Sequence, residues 1–244
     1  MRRRPEAAVL TAPGTNRDPD ACLALELAGA NPVVIPVASL LDVRSRLSDS
    51  DMIVIPGGFS YADALGAGRL FATELDHVLG DHLSVAAADR RPVIGICNGF
   101  QTLVRLGIWT REGYRLALGH NVDGVFTCEW VNLVPDPMTR CIWTEGLEGE
   151  VSCPVAHGEG RVVCDDATAS ALMETGRVAL RYVRNPNGSR GDIAGLTDAT
   201  GFILGLMPHP ENHVVSRQHP GFRRGIGGGL GLRIFENGVR HAGR

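Results

Sequence analysis

No stretch of this 244-residue chain approaches the ~18 consecutive apolar residues of a membrane span. No secretory h-region follows the basic start Met1-Arg2-Arg3-Arg4. Pro5-Glu6-Ala7-Ala8-Val9-Leu10 is too short and carries a charge, so the start reads as a solvated, disordered segment and the protein as cytoplasmic. Neither sign of charge is in excess. Lys and Arg number 24 against 27 Asp and Glu, for a net charge of −3, and no polyanion-binding surface, such as one for nucleic acid, is implied. Cysteines are few, at 22, 97, 128, 141, 153 and 164, and none forms a C-x-x-C pair. A structural zinc site is therefore not expected, and in a reducing compartment these are free thiols. Repeats and low-complexity tracts are also lacking. The glycine-rich run Gly227–Gly231 has no Gly-Lys-Ser/Thr ending, so it is not a phosphate loop and reads as a flexible lead into a C-terminal helix. Asn187-Gly188-Ser189 matches a glycosylation sequon, but without a secretory signal it reads as a turn.

What is present is a composition, 44% hydrophobic and 21% charged, that suits one soluble globular domain over 1–244, with a core of about 7–217 and a Gly-rich C-terminal segment 218–244. Short apolar runs at 7–12, 33–37, 52–55 and 92–96 alternate with helical periodicity over 20–30, 67–90 (in two pieces around Gly80) and 99–106. Such strands, separated by helices, predict a parallel sheet covered on both faces. After about Gly119 the pattern changes. Alternation over 124–134 and short apolar runs at 141–144, 151–155, 161–164, 180–183, 193–197 and 202–207 predict further strands, with a helix over 168–175 and a turn at 198–201. The expected fold is an open, doubly wound, mostly parallel α/β sheet with mixed-sheet additions in its second half.

The most informative run is Val93-Ile94-Gly95-Ile96-Cys97-Asn98-Gly99-Phe100-Gln101. An apolar strand enters a Gly-x-Cys-x-Gly turn and an amphipathic segment leaves it, the pattern of a nucleophile elbow with cysteine in the serine's place. The flanking glycines permit a sharp turn, and the following helix aims free N–H groups at the sulfur, which favours the reactive thiolate. An isolated cysteine is most often a core residue; the glycines, strand and helix reverse that reading for Cys97.

Active-site groups in such sheets collect at the carboxyl ends of the strands. Pro56-Gly57-Gly58-Phe59-Ser60-Tyr61 stands at the end of the third strand, where glycine lets backbone N–H groups approach a ligand. This turn is a natural half of an oxyanion hole or a plain turn, and the N–H of Asn98, the residue after the nucleophile, would be the other half. Met207-Pro208-His209-Pro210-Glu211 follows the last apolar strand. His209 is placed as a base there, and Glu211 is near enough to fix its tautomer. A metal site through His209, Glu211 and His213 is disfavoured by Pro210 and by the want of a third ligand cluster. His157-Gly158-Glu159-Gly160 could line a pocket or be a plain turn, and residue chemistry alone does not decide.

At these residues the chain resembles the class I, or triad, glutamine amidotransferases. Within them it resembles the subgroup that serves as the glutaminase component of phosphoribosylformylglycinamidine synthase in purine synthesis. The resemblance is carried by Gly95–Gln101 and Pro208–Glu211, and by 13–16, 56–61, Ala156-His157-Gly158-Glu159-Gly160-Arg161, Asn185-Pro186-Asn187-Gly188-Ser189 and 192–196. Arg17 and Ala62 depart from the subgroup's usual residues.

The resemblance implies a flavodoxin-like fold. It also implies a Cys97 nucleophile, a His209 base and acid, Glu211 to orient the histidine, and the N–H groups of Gly58 and Asn98 to hold the oxyanion. Gly57, Phe59, Ser60, Gln101, His157 and Glu159 are expected around the substrate. L-glutamine is hydrolysed through a thioester. Ammonia passes to a separate synthetase subunit that makes formylglycinamidine ribonucleotide, with a small third subunit in the complex. No cofactor is expected in this chain, ATP and Mg belonging to the synthetase. Two other readings stand beside it: a cysteine hydrolase or thiol-stress protein of similar fold with another substrate, and a non-catalytic scaffold subunit.

Overall fold

The computed structural model describes residues 3–38, 47–79 and 82–243. Its first half runs β1 (Glu6–Thr11), α1 (Asp18–Leu27), β2 (Asn31–Pro36), β3 (Met52–Ile55), α2 (Arg69–Leu79), α3 (His82–Ala88), β4 (Val93–Ile96), α4 (Asn98–Arg105) and α5 (Ile108–Arg111). The second half runs β5 (Ala117–His120), β6 (Thr127–Pro135), β7 (Val151–His157), β8 (Glu159–Val163), α6 (Asp166–Glu174), β9 (Val178–Tyr182), β10 (Ile193–Thr197), β11 (Ile203–Leu206) and α7 (Leu232–Ala242).

One nine-stranded sheet, in the order β2-β1-β3-β4-β11-β10-β9-β6-β7, organises the chain. The pairings from β2 through β11 are parallel, and those from β11 through β7 are antiparallel. The sequence pattern explains this split. The central strands β3, β4 and β11 are buried at every residue, which suits parallel strands covered on both faces. The edge strand β2 begins and ends beside prolines and is mostly outside the core. β5 and β8 form a separate antiparallel pair. The last strand, β11, is inserted between β4 and β10 and so joins the two halves of the sheet.

Glycine sets how closely α4 lies on the sheet. A Cβ on Gly99 would sit 2.0 Å from the Ile55 carbonyl oxygen, and one on Gly205 would sit 2.1 Å from the Phe100 ring. The first obstacle is backbone, which cannot turn aside. Gly99→Ala should therefore destabilise the protein by about 3 kcal/mol, as overpacking in a rigid core does. Thermal or urea unfolding checks this, and a wild-type midpoint would show that the helix can shift.

Three expectations are corrected. The run 141–144 is not a strand. It is a 3-10 turn (Ile142–Thr144), closed by the Thr144 hydroxyl donating to the Cys141 carbonyl at 3.0 Å. Its apolar residues mimic a strand because Cys141 and Trp143 both reach the core. The alternation expected from Gly124 begins only at Thr127, and Val125 and Phe126 stand exposed in the loop before it. The run 227–231 is packed rather than free, since Ser152 N–H donates to Gly229 O at 2.9 Å and Gly231 lies against Pro210. It leads into α7, where buried Asn237 donates to the Trp143 and Glu145 carbonyls at 2.9 and 2.8 Å. Gly80, the expected break between helices, and Met1 and Arg2 lie outside the described residues; Arg3 forms an exposed ion pair with Asp51 at 2.8 Å. Among the described residues no helix is long and apolar enough to cross a membrane.

Candidate active site

Cys97 stands at the junction of β4 and α4 with φ 51° and ψ −104°. This is left-handed backbone that a side chain adopts only under strain, as at the tip of a nucleophile elbow. Two ladder contacts hold it. Its N–H donates to Leu206 O at 2.7 Å, and its carbonyl accepts the first turn of α4 from Gln101 N–H at 3.0 Å. β11 runs parallel to β4 with Leu206 opposite Ile96, so the chain leaving β11 arrives beside the cysteine. That chain carries Pro208, His209 and Pro210. His209 N–H donates to Pro154 O at 2.8 Å, which fixes the backbone of the histidine against β7.

The side chains complete the arrangement. His209 Nδ1 donates to Glu211 Oε1 at 2.7 Å, with His209 only 3% exposed and Glu211 fully buried. Gly57 leaves room for the pair to approach: a Cβ there would sit 2.8 Å from His209 Cε1 and 3.4 Å from Cys97 Cβ. Burial alone would push the His209 imidazole down. The Glu211 carboxylate, and after it Cys97, outweigh burial and raise its pKa to about 10. His209 is therefore an imidazolium over the neutral range. His213, two residues beyond Glu211, turns elsewhere: Nδ1 donates to Ser152 O at 2.5 Å and the ring packs edge-on against Trp130. Among the described residues no cluster of three or more His, Cys, Asp or Glu is placed to hold a metal.

A cavity of 340 Å³ opens over the cysteine, and Gly58, Phe59, Gln101, His157 and Glu159 all line it with Cys97. Five of the positions expected from the sequence thus converge on one space. Among the described residues neither Gly58 N–H nor Asn98 N–H has a protein acceptor, as an oxyanion hole requires. A Cβ on Gly58 would strike Asn16 N at 2.7 Å, so this loop position needs glycine.

The Ser60 side chain does not face the cavity. It is buried behind the cavity wall, with its hydroxyl donating to Asn98 Oδ1. Asn98 Nδ2 in turn donates to Asp63 Oδ1 at 3.0 Å and Gln101 Oε1 at 3.2 Å. Gln101 Nε2 donates to the Glu159 carbonyl. Glu159 is itself engaged, accepting from Arg105 at 3.0 Å and Ala67 N–H at 3.3 Å. These contacts lace the 60–67 loop, α4 and β8 into one frame around the cysteine. The loop needs that support, because Tyr61, Ala62, Asp63 and Leu65 all have positive φ without being glycine.

His157 is buried with Nδ1 on Asn121 Oδ1 at 3.1 Å. Asn121 Nδ2 donates to Val125 O, Thr127 Oγ1 and His157 O, so its Oδ1 is the acceptor and His157 Nδ1 carries the hydrogen. Burial, and then the nearby His209, lower the His157 pKa to about 4, so this imidazole stays neutral beside the charged one.

Sequence reasoning did not single out Asp63, Arg105, His120, Asn121 or Phe126, although His120 and Phe126 line the same cavity. No local pattern marks them: His120 ends the short strand β5, Arg105 ends α4 and the others come from loops, brought together by tertiary packing.

The comparisons with known proteins agree with this geometry. A family model described as a CobB/CobQ-like glutamine amidotransferase domain matches residues 4–242. The phosphoribosylformylglycinamidine synthase subunit PurQ of Treponema denticola is 45% identical over 88% of this chain and 90% of its own. That of Dehalococcoides mccartyi is 38% identical over 96% of each. The structure of PurLQS from Thermotoga maritima contains a chain that superposes with a TM-score of 0.77 at 34% identity, covering 98% of this chain and 99% of that one. An elbow cysteine, a buried His–Glu pair and a match of this extent lead to one conclusion: this chain belongs to the class I glutamine amidotransferases, in the PurQ family.

Proposed function

We propose that this chain is the glutaminase subunit of a phosphoribosylformylglycinamidine synthase, acting in the cytoplasm with a synthetase subunit and a small third subunit. The observation that carries the reading is the approach of His209, paired to Glu211, to a strained Cys97 at the floor of a lined cavity. A cysteine hydrolase or stress protein with another substrate is not favoured, because curated relatives over most of the chain are PurQ subunits.

In the proposed reaction, the Cys97 thiolate attacks the carboxamide carbon of glutamine. The carbonyl electron pair moves to oxygen, which the N–H groups of Gly58 and Asn98 receive. His209, protonated through its pairing with Glu211, gives its proton to the departing nitrogen, and ammonia leaves as the thioester forms. Neutral His209 then takes a proton from water. The hydroxide adds to the thioester carbon, and collapse returns the Cys97 thiolate and releases glutamate. Phe59, Gln101, His157 and Glu159 shape the space for the amino-acid portion of the substrate. Gly57 holds the catalytic side chains close, and Ser60 holds Asn98. ATP and Mg act on the synthetase, with no cofactor in this chain.

The test is ammonia release from glutamine by this chain, alone and mixed with its synthetase loaded with ATP and formylglycinamide ribonucleotide. Release that rises several-fold on mixing is the expected outcome. Its absence under both conditions would overturn the assignment.

A further inference from the structure

Arg161 and the Asn185–Ser189 segment have no part in the triad, yet together they build a second cavity. It has a volume of 280 Å³, and Arg161, Val162, Gly188, Ser189 and Arg190 are among its walls. Asn185 shapes the loop, its Oδ1 accepting from the N–H groups of Asn187, Gly188 and Ser189 at 3.2, 2.8 and 3.2 Å. The Arg161 stem lies along this loop, since a Cβ on Gly188 would sit 3.4 Å from Arg161 Cδ. Ser189 Oγ accepts from Val162 N–H at 3.0 Å, which leaves its hydrogen free to donate into the cavity.

Of the two arginines at this cavity, Arg161 is unmatched. Arg105, Arg177, Arg184 and Arg190 each have a carboxylate within 3.0 Å. The Arg161 side chain has neither an ion-pair nor a hydrogen-bond partner among the described residues, and its Nε is buried without an acceptor. Asn187, 1% exposed, likewise keeps a buried Nδ2 without an acceptor. Buried donors are normally satisfied, and a guanidinium fork is satisfied best by a carboxylate or a phosphate.

The surroundings say which. Val122 packs over Gly188, and its N–H donates to Asn187 O at 3.1 Å. Val122, Val125 and Phe126 are 71%, 59% and 51% exposed, and Phe126 also lines the catalytic cavity. One face therefore runs from the cavity over Cys97, across an apolar loop, to the unmatched guanidinium. A free phosphate would satisfy Arg161 and leave the loop in water. A protein surface carrying an acidic side chain would satisfy both.

We propose that the Arg161 cavity receives a carboxylate side chain of the synthetase subunit, seated beside an apolar contact on the 122–126 loop. The inference rests on the function proposed above and adds the residue that recognises the partner. The test titrates the loaded synthetase into this chain and reads ammonia release from glutamine. For Arg161→Ala, the half-saturating synthetase concentration should rise at least tenfold with the plateau unchanged. Arg161→Lys should fall between, and added salt should narrow the gap to wild type. Val122→Asp, a change at an exposed position that spares folding, should weaken association in the same direction.

Wild-type half-saturation in both Arg161→Ala and Val122→Asp would overturn the proposal. So would a lowered plateau at unchanged half-saturation. It would also fail if inorganic phosphate raised the melting temperature of wild type but not of Arg161→Ala while association stayed equal, since the cavity would then be a free-anion site. A wild-type chain that the synthetase neither binds nor stimulates would instead overturn the functional reading itself, and this inference with it.

Discussion

Cys97→Ala should abolish glutamine-dependent synthesis by the assembled complex, by about 10⁴-fold or more, while synthesis from added ammonia stays at the wild-type rate. The size of the effect follows from the absence of a substitute. The other buried cysteines, Cys141 and Cys153, lie in the core, and burial pushes both thiols up, so neither takes over as a nucleophile. Alanine is expected to fit the elbow sterically, since Cys97 is held chiefly by its backbone contacts to Leu206 and Gln101, its sulfur adding only a long contact to Ala156 O at 3.9 Å. The complex should thus assemble normally and differ only in its source of nitrogen. Loss of the ammonia-dependent rate as well would show that Cys97 supports the fold or the assembly, and would remove its assignment as nucleophile.

Glu211→Gln should lower kcat for glutaminase by about 10³–10⁴-fold with little change in binding of glutamine, as expected when the group orienting a catalytic histidine is neutralised. The substitution preserves shape but replaces the carboxylate that accepts from His209 Nδ1 at 2.7 Å. A pH signature goes with it. In the intact site Glu211 outweighs the burial that would otherwise depress His209, and the imidazolium persists up to about 10. A raised histidine pKa means the proton is present below it and lost above it, so wild-type activity should decline on an alkaline limb near that value. Without the carboxylate, burial acts on His209 with less opposition, and the limb should move toward acid. A kcat–pH profile of the residual activity reads this shift. An unmoved limb together with near-normal kcat would mean that Glu211 does not act through His209.

The sheet and the grouping of Cys97, His209 and Glu211 were legible because each is written in a local pattern. Short apolar runs fixed β1 to β4, and Gly95-x-Cys97-x-Gly99 could serve hardly anything but a tight strand-to-helix turn. His209 was legible because it directly follows the buried strand β11. The frame around them was not. Asn98 was read for its N–H alone, while its side chain ties together Ser60, Asp63 and Gln101, two of them from more than 30 residues away in sequence. The Ser60 backbone was expected at the substrate from the resemblance; what the sequence did not show is that its side chain, ahead of the left-handed turn at 61–63, points inward to Asn98. Trp143 misled in the opposite way: a buried aromatic in a short apolar run looks like a strand, and only Thr144 closing back on Cys141 marks the turn. Long-range hydrogen bonds of this kind have no period to detect.

The place of β11 in the sheet has a consequence for how the protein is born. The strand is the last in the chain and lies in the middle of the sheet, between β4 and β10. During translation the ribosome releases the elbow cysteine well before the residues that follow β11. Until then the two half-sheets have no common strand, and Cys97 lacks the Leu206 carbonyl that its N–H requires. The nascent chain therefore carries an unarmed thiol. The same strand that closes the sheet delivers the histidine, so under the proposed mechanism reactivity and closure of the sheet arrive together.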